Sequence, residues 1–535
     1  MRRDFWWIVS VTMAAALAVG CSDSESGAGI GGTQSAGGTG PGTAGGSATG
    51  GSAAGGSAAG GSSQGGAAQV ELKAFPSAYG GGSEATGGRG KALAIINTLD
   101  RNAPLTHHPA SGNTDEYYEG GLFEAMQHGQ VGYIVFDVSG NIELGVGGTG
   151  AQFGFAGMPG VNDLTIFGQS APQGGITLTG GTFRLDGRSG HNQNLIFRYF
   201  RSRPSYNRDG VVNTDDDSYT WAFLFYGGNN IMVDHCSAAF AQDKAMGGFI
   251  DQSHVPSGDS MTHMTFSNNL LGDSHTGAYV EINPDRPDDP ERFVDLISWN
   301  RNVIVSMNRT PNLAFEGTAE KINNVLHDIP YKQTSVYHDL RLNELGNYYS
   351  GSGAKNKIRD DIDETGSPLV YTSSNYFEGL LTGAAGEDNI VIWNLFNDTP
   401  APASWFAAQP YSGFPHPTTP TSPQEAFTQL VDHGDVGAYQ YLDDDGTVQI
   451  YRDSFDASQL EIVRNNQDYT TKNPANYVLP TIPSNTRPAS YDTDHDGMAD
   501  AWEIREFGDL SQSYRGDDDG DGYENIEEYM NQVDG

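Results

Sequence analysis

Near the end of the chain, oxygen-bearing side chains recur twice at the spacing of a calcium loop. In the first run Asp492, Asp494 and Asp496 stand at positions 1, 3 and 5, Gly497 at 6, Met498 at 7, Asp500 at 9 and Glu503 at 12. In the second, Asp517, Asp519, Asp521, Gly522, Tyr523, Asn525 and Glu528 fill the same places. Calcium takes about six to eight oxygens, and this spacing wraps carboxylates and the position-7 carbonyl around one point. The glycine supplies the sharp turn at position 6. A solvated acidic tail is the plain alternative, but two full loops 25 positions apart (517 minus 492) argue for bound ions. Such loops stabilise or tether, so any catalysis must be sought upstream.

Between about 72 and 400 the chain carries short β-branched and aromatic runs separated by Gly and Asn turns. YIVFDVSG at 133, LTIFGQS at 164, NLIFRYFRSR at 194 and NNIMVDHCS at 229 are examples. Strand centres at 166, 197, 232, 265, 297, 322, 343 and 371 are spaced by 31, 35, 33, 32, 25, 21 and 28 residues. Helical periodicity is nearly lacking. Short strands at this period suit a parallel β-helix, in which each coil pairs only with the coils above and below it. Asn269, Asn302, Asn324, Asn347 and Asn375 each follow a strand and are expected to stack as a ladder inside the turns. A β-propeller or sandwich is the competing architecture. The expected fold is all-β: a right-handed parallel β-helix over 71–484, with paired EF-hand-like calcium loops over 485–535.

The order of several segments resembles bacterial pectate lyases of polysaccharide lyase family 1. They are FPSAYGGGSEATGGRGK at 75, VFDVSGNIEL at 135, TIFGQSAPQGGITL at 165, IFRYFRSRP at 196, IMVDHCS at 231, SMNRTPNL at 306 and NNVLHD at 323. RDSFDASQLEIVRNN at 452 resembles that family's C-terminal segment. The paired loops with their short helices resemble dockerin and thrombospondin-type-3 modules.

The resemblance implies β-elimination on polygalacturonate or a related acidic plant or algal polysaccharide. A base removes the C5 proton of a uronate, the C4 oxygen leaves, and the neighbouring carboxylate must be neutralised. It puts Arg309, first in Arg-x-Pro, at the place of the catalytic base. An arginine acts so only when crowded by other cations. Asp243 matches a calcium ligand of the family. Lys244 stands where relatives often carry Glu, Trp221 where another Asp ligand is expected, Thr276 where lysine is common, and Ala314 where a second arginine is usual. Two explanations stay open. Asp215, Asp216 and Asp217 supply metal oxygens from a shifted loop, or Lys244 replaces calcium as a fixed cation. Arg198 and Arg201 (with Arg203) are candidates to line a uronate cleft, although arginines beside strands often pair with acids on the next coil. Asp234 and His235 read as structural.

The first 21 residues read as an export signal, with Arg2 and Arg3 ahead of an apolar run too short to span a membrane and Cys21 at a lipoprotein-type processing site. Residues 22–70 are a Gly/Ser/Ala-rich flexible linker. The expectation is a secreted protein, lipid-anchored at the bacterial outer membrane or cell surface, and monomeric. Cys236, the other cysteine, is then a buried small hydrophobe. With 67 acidic against 29 basic residues and a net charge of −38, nucleic acid is excluded as a partner.

Overall fold

A computed structural model describes residues 72–145, 151–153, 159–187, 192–204, 221–250, 260–282, 293–359, 368–469 and 477–535. The expectations for the leader, Cys21, the linker and Asp215 to Asp217 fall outside these residues.

Three long sheets run through the described chain. The first has twelve strands, eight of which hold the expected strand centres: Asn162–Phe167, Gln193–Arg198, Gly228–Asp234, Ser260–Ser267, Phe293–Asn300, Gly317–Ile322, Leu340–Leu345 and Leu369–Ser373. Successive members pair parallel, as in Leu195↔Ile231, Ile231↔Met264 and Met264↔Ile297. Ten- and nine-stranded sheets complete the coil. One coil thus visits Ser260–Ser267, Leu270–Gly272 and Thr276–Ile282 in turn before the next begins at Phe293. This is a parallel β-helix; among the described strands, antiparallel pairing occurs at sheet edges and in one small hairpin.

The turn between the first and second sheets is set by two residues. A left-handed residue bends the chain: His235, Asn268, Arg301, Asn323, Gly346 and Ser374 all have φ between 49° and 60°. The next residue joins the ladder. Cys236 N donates to Asn269 Oδ1 at 2.8 Å, and the amides of Asn269, Asn302, Asn324, Asn347 and Asn375 each donate to the following asparagine, ending at Asn389. These side chains are buried, so each bond satisfies a backbone group that water cannot reach. Cys236 is buried at the head of this ladder, and burial raises its thiol pKa.

Inside the coil, Ile134, Ile166, Phe197, Val233, Phe266 and Ile297 belong to one continuous core. The first strands are buried on their outer face too. Leu93, Ile95, Tyr133, Val135 and Phe167 point away from that core and pack against Tyr491, Met498, Trp502, Tyr514, Ile526 and Tyr529. Strands covered on both faces read as unbroken apolar runs, as ALAII at 92 and VGYIVF at 131 do. Residues 70–535 form one compact unit.

Candidate functional site

At the nine-stranded sheet the structure brings Asp243, Lys244, Thr276 and the segment before Arg309 onto neighbouring coils. Lys244 pairs in register with Thr276, and Thr276 bridges to Asn308, the residue before Arg309. Along Thr276–Ile282, Ala278, Val280 and Ile282 enter the core while Tyr279 and Glu281 stand on the opposite face. Arg309 is half-buried and adopts a left-handed conformation, φ 52°, uncommon for a side chain other than Gly, Asn or Asp.

Lys244 is held firmly. Its ammonium lies 2.6 and 2.7 Å from the two oxygens of Asp243, 4.9 Å from the Trp221 ring centre and 4.6 Å from that of Tyr279. The Trp221 indole donates to Asp243 Oδ2 at 3.0 Å and meets Tyr279 edge to face. The Tyr279 hydroxyl donates to Glu281, which also accepts from Asn312 at 3.5 Å. Burial lifts the Glu281 carboxyl above its ordinary range, opposed by that hydroxyl and by Lys244, Arg309 and Arg359. Burial also lowers the His275 pKa; Asp243 opposes this, and Lys244 and Arg309 add to it. His275 is therefore neutral near pH 7. His275, Tyr279, Glu281 and Arg359 were missed in the sequence. The alternation of Tyr279 and Glu281 with core residues was the signal that could have found two of them.

Asp243 does not fit a calcium site here, because both oxygens already face an ammonium and one also accepts an indole N–H. Trp221, at the place of an expected aspartate, is one of the groups that occupy it. Among the described residues, groups of three or more acids close enough to share a metal ion occur in the C-terminal loops and not on this sheet face.

Arg198 and Arg201 are corrections. Both are buried and stand on the other two sheets. Arg198 pairs with Asp234 of the next coil at 3.1 Å and with Asp534 at 2.5 Å. Arg201 pairs with Asp453 at 3.1 Å and donates to the carbonyls of Gly174 and Ala438. Arg203 joins Asp456 at 2.7 Å. A buried guanidinium requires such partners, and neither candidate is open to a polysaccharide. His235 bridges Asp234 at 2.7 Å and Asp435 at 3.2 Å.

In the C-terminal loops the structure assembles the acids named by spacing. Asp492, Asp494 and Asp500 converge, as do Asp494, Asp496 and Glu503, and, separately, Asp517, Asp519 and Asp521. Backbone amides of Asp496 and Gly497 donate to Asp492, and that of Met498 to Asp496. Tyr523 N donates to Asp521 in the same way. Glu528, at position 12 of the second loop, has its carboxyl pushed up to about 7 by burial and by Asp519. The position-9 residues brace their loops: Asp500 accepts from Thr493, while Asn525 donates to Ser513 and Asp518 and accepts from the Asp518 amide. Asn525 thus uses both ends of its amide within the protein, its oxygen on the Asp518 amide and its nitrogen on the Ser513 carbonyl and the Asp518 carboxylate. The donor chemistry, oxygen only, fits a hard cation such as calcium.

No family model matches the chain. Two curated relatives are named probable pectate lyase C. The protein of Aspergillus oryzae is 24% identical over 326 residues, covering 58% of this chain and 63% of its own length. That of Emericella nidulans is 23% identical over 316 residues, covering 58% and 62%. The chain thus spans less than two thirds of the length of the relatives it matches. Among solved structures, the thermostable pectate lyase PL 47 overlaps 69% of this chain and 98% of its own at 14% identity and TM-score 0.43. Pectate lyase pelN from Paenibacillus sp. 0602 overlaps 68% and 95% at 12% identity and TM-score 0.42. The protein is a parallel β-helix with distant relatives among the pectate lyases.

Proposed function

We propose that this protein is a secreted polysaccharide lyase that cleaves polygalacturonate, or a related acidic polysaccharide, by β-elimination on the outer face of the nine-stranded sheet. The observation that carries this reading is the grouping of Arg309, Lys244, His275 and Glu281 on neighbouring coils, with Arg309 in its motif position. The locked ammonium of Lys244 meets the uronate carboxylate and draws charge from C5 as it develops. Arg309 takes the C5 proton, the electron pair forms the C4=C5 bond, the C4–O bond breaks, and the leaving oxygen is protonated from water. His275, neutral and beside the same cations, is a second proton acceptor within the group.

The test is incubation of the protein with a panel of uronic-acid polymers, following the ultraviolet absorbance of the unsaturated product. Turnover is expected, and Arg309→Lys should lower it by about 10²–10⁴-fold while affinity changes far less. Binding to a polymer without product on any member of the panel would instead favour a binding protein or adhesin. The close Lys244–Asp243 pairing lends support to that second reading, because it neutralises the groove's best-placed cation. The leader and linker support a lipid anchor at Cys21, and Cys21→Ser should release the protein from membranes; continued fractionation with membranes would refute the anchor.

A further inference from the structure

We propose that the 492–503 loop is a buried calcium site that locks the C-terminal segment onto the first strands of the β-helix, so that calcium acts on the fold and not in the groove. This stands apart from the lyase reading. Four carboxylate oxygens in the loop have no hydrogen-bond partner among the described residues: Asp494 Oδ1, Asp496 Oδ2 and both oxygens of Glu503. Glu503 is 0% and Asp496 4% exposed, so water does not serve them. Isolated buried carboxylates are strongly disfavoured as ions unless a cation joins them. Asp494 belongs to both acid groups of the loop, which places one shared point between them.

The loop is built into the core. Met498, Ala499 and Trp502 pack with Leu93, Ile95, Tyr133 and Phe167. Gly497 has the left-handed φ of 86°, and a Cβ there would press on Leu93 at 3.0 Å and Ile526 at 3.2 Å. A later helix, Asn525–Asn531, continues the attachment. Its cap residue Glu524 accepts from Tyr133 Oη at 2.7 Å and Gly90 N at 3.0 Å, and Glu527 pairs with Arg89 at 2.8 Å. A docking module on a linker would not share its core with the first coil. The 517–528 loop differs, since Asp517, Asp519 and Asp521 are exposed and water can satisfy them.

The test uses the full-length protein, stripped with chelator and titrated with calcium. Saturating calcium should raise the melting temperature by about 3–5 °C. It should also slow amide exchange in 92–96 and 131–136 by at least about tenfold. Glu503→Gln should remove both effects and Asp519→Asn should retain them. Because Glu503→Gln could fold poorly, terbium luminescence of the unaltered protein gives an independent measurement: Trp502 and Tyr491 should sensitise the ion, and calcium should displace it. The proposal is overturned if calcium leaves 92–96 and 131–136 unchanged, if Asp519→Asn alone removes the melting shift, or if terbium shows no sensitised emission.

Discussion

Carboxylates in two regions of this protein lie in contrasting states. In the groove, Asp243 has both oxygens on Lys244 and one also on the Trp221 indole. In the 492–503 loop, four carboxylate oxygens of Asp494, Asp496 and Glu503 face one another without a donor. Burial and mutual repulsion push Asp496 well above the usual carboxylate range and Glu503 to about 8. The first arrangement carries its own cation as a side chain; the second has no cationic side chain on these oxygens among the described residues. Residue type alone does not separate them, since both are aspartates in an acidic chain. What separates them is whether a lysine and an indole reach the site.

The largest expected effect comes from emptying the first region. Lys244→Ala should cut turnover by about 10²–10³-fold, the cost of removing one electrostatic stabiliser of a developing charge. Calcium should not restore it. Rescue of Lys244→Ala by calcium would mean that Asp243 takes a metal once freed, and the contrast between the regions would collapse.

A smaller effect is expected where buried carboxylates are fully paired, at Asp234. Burial disfavours the charged form of His235, but Asp234 and then Asp435 override it and raise its pKa to about 9. A histidine raised in the folded state contributes stability that is complete below its unfolded pKa of about 6.5 and is lost as pH rises toward 9. Stability should therefore fall by on the order of 2–3 kcal/mol between pH 6.5 and 9, measured by denaturant titration at a series of pH values. In His235→Gln that slope should flatten; an unchanged slope would assign it to other groups.

Much of the fold was legible because a solenoid repeats locally. All eight expected strand centres lie in one sheet, and Asn269, Asn302, Asn324, Asn347 and Asn375 form the ladder their positions suggested. The acids of the two C-terminal loops converge as their spacing suggested. Contacts between distant segments left no such trace. Arg198 meets Asp534, 336 positions away, and nothing periodic links them. Arg201 likewise finds Asp453 in a helix cap far downstream. One clue was present: VGYIVF at 131 is apolar at every second position on both faces, so something had to cover its outside. The groove was half legible. Arg309 and Lys244 stood in recognisable motifs, but Tyr279, Glu281 and His275 become neighbours of Lys244 only when coils stack.

The attachment of the last helix to Arg89 and Gly90 also has a mechanical meaning. A bare solenoid pulled from its ends would peel coil by coil, each rung opening at low force. Here, tension between residues 72 and 535 falls first on the Arg89–Glu527 pair and the Gly90–Glu524 bond. The stacked coils lie outside that load path until these bonds rupture, so the chain should resist stretching as a closed buckle resists it, with one high threshold in place of many small ones.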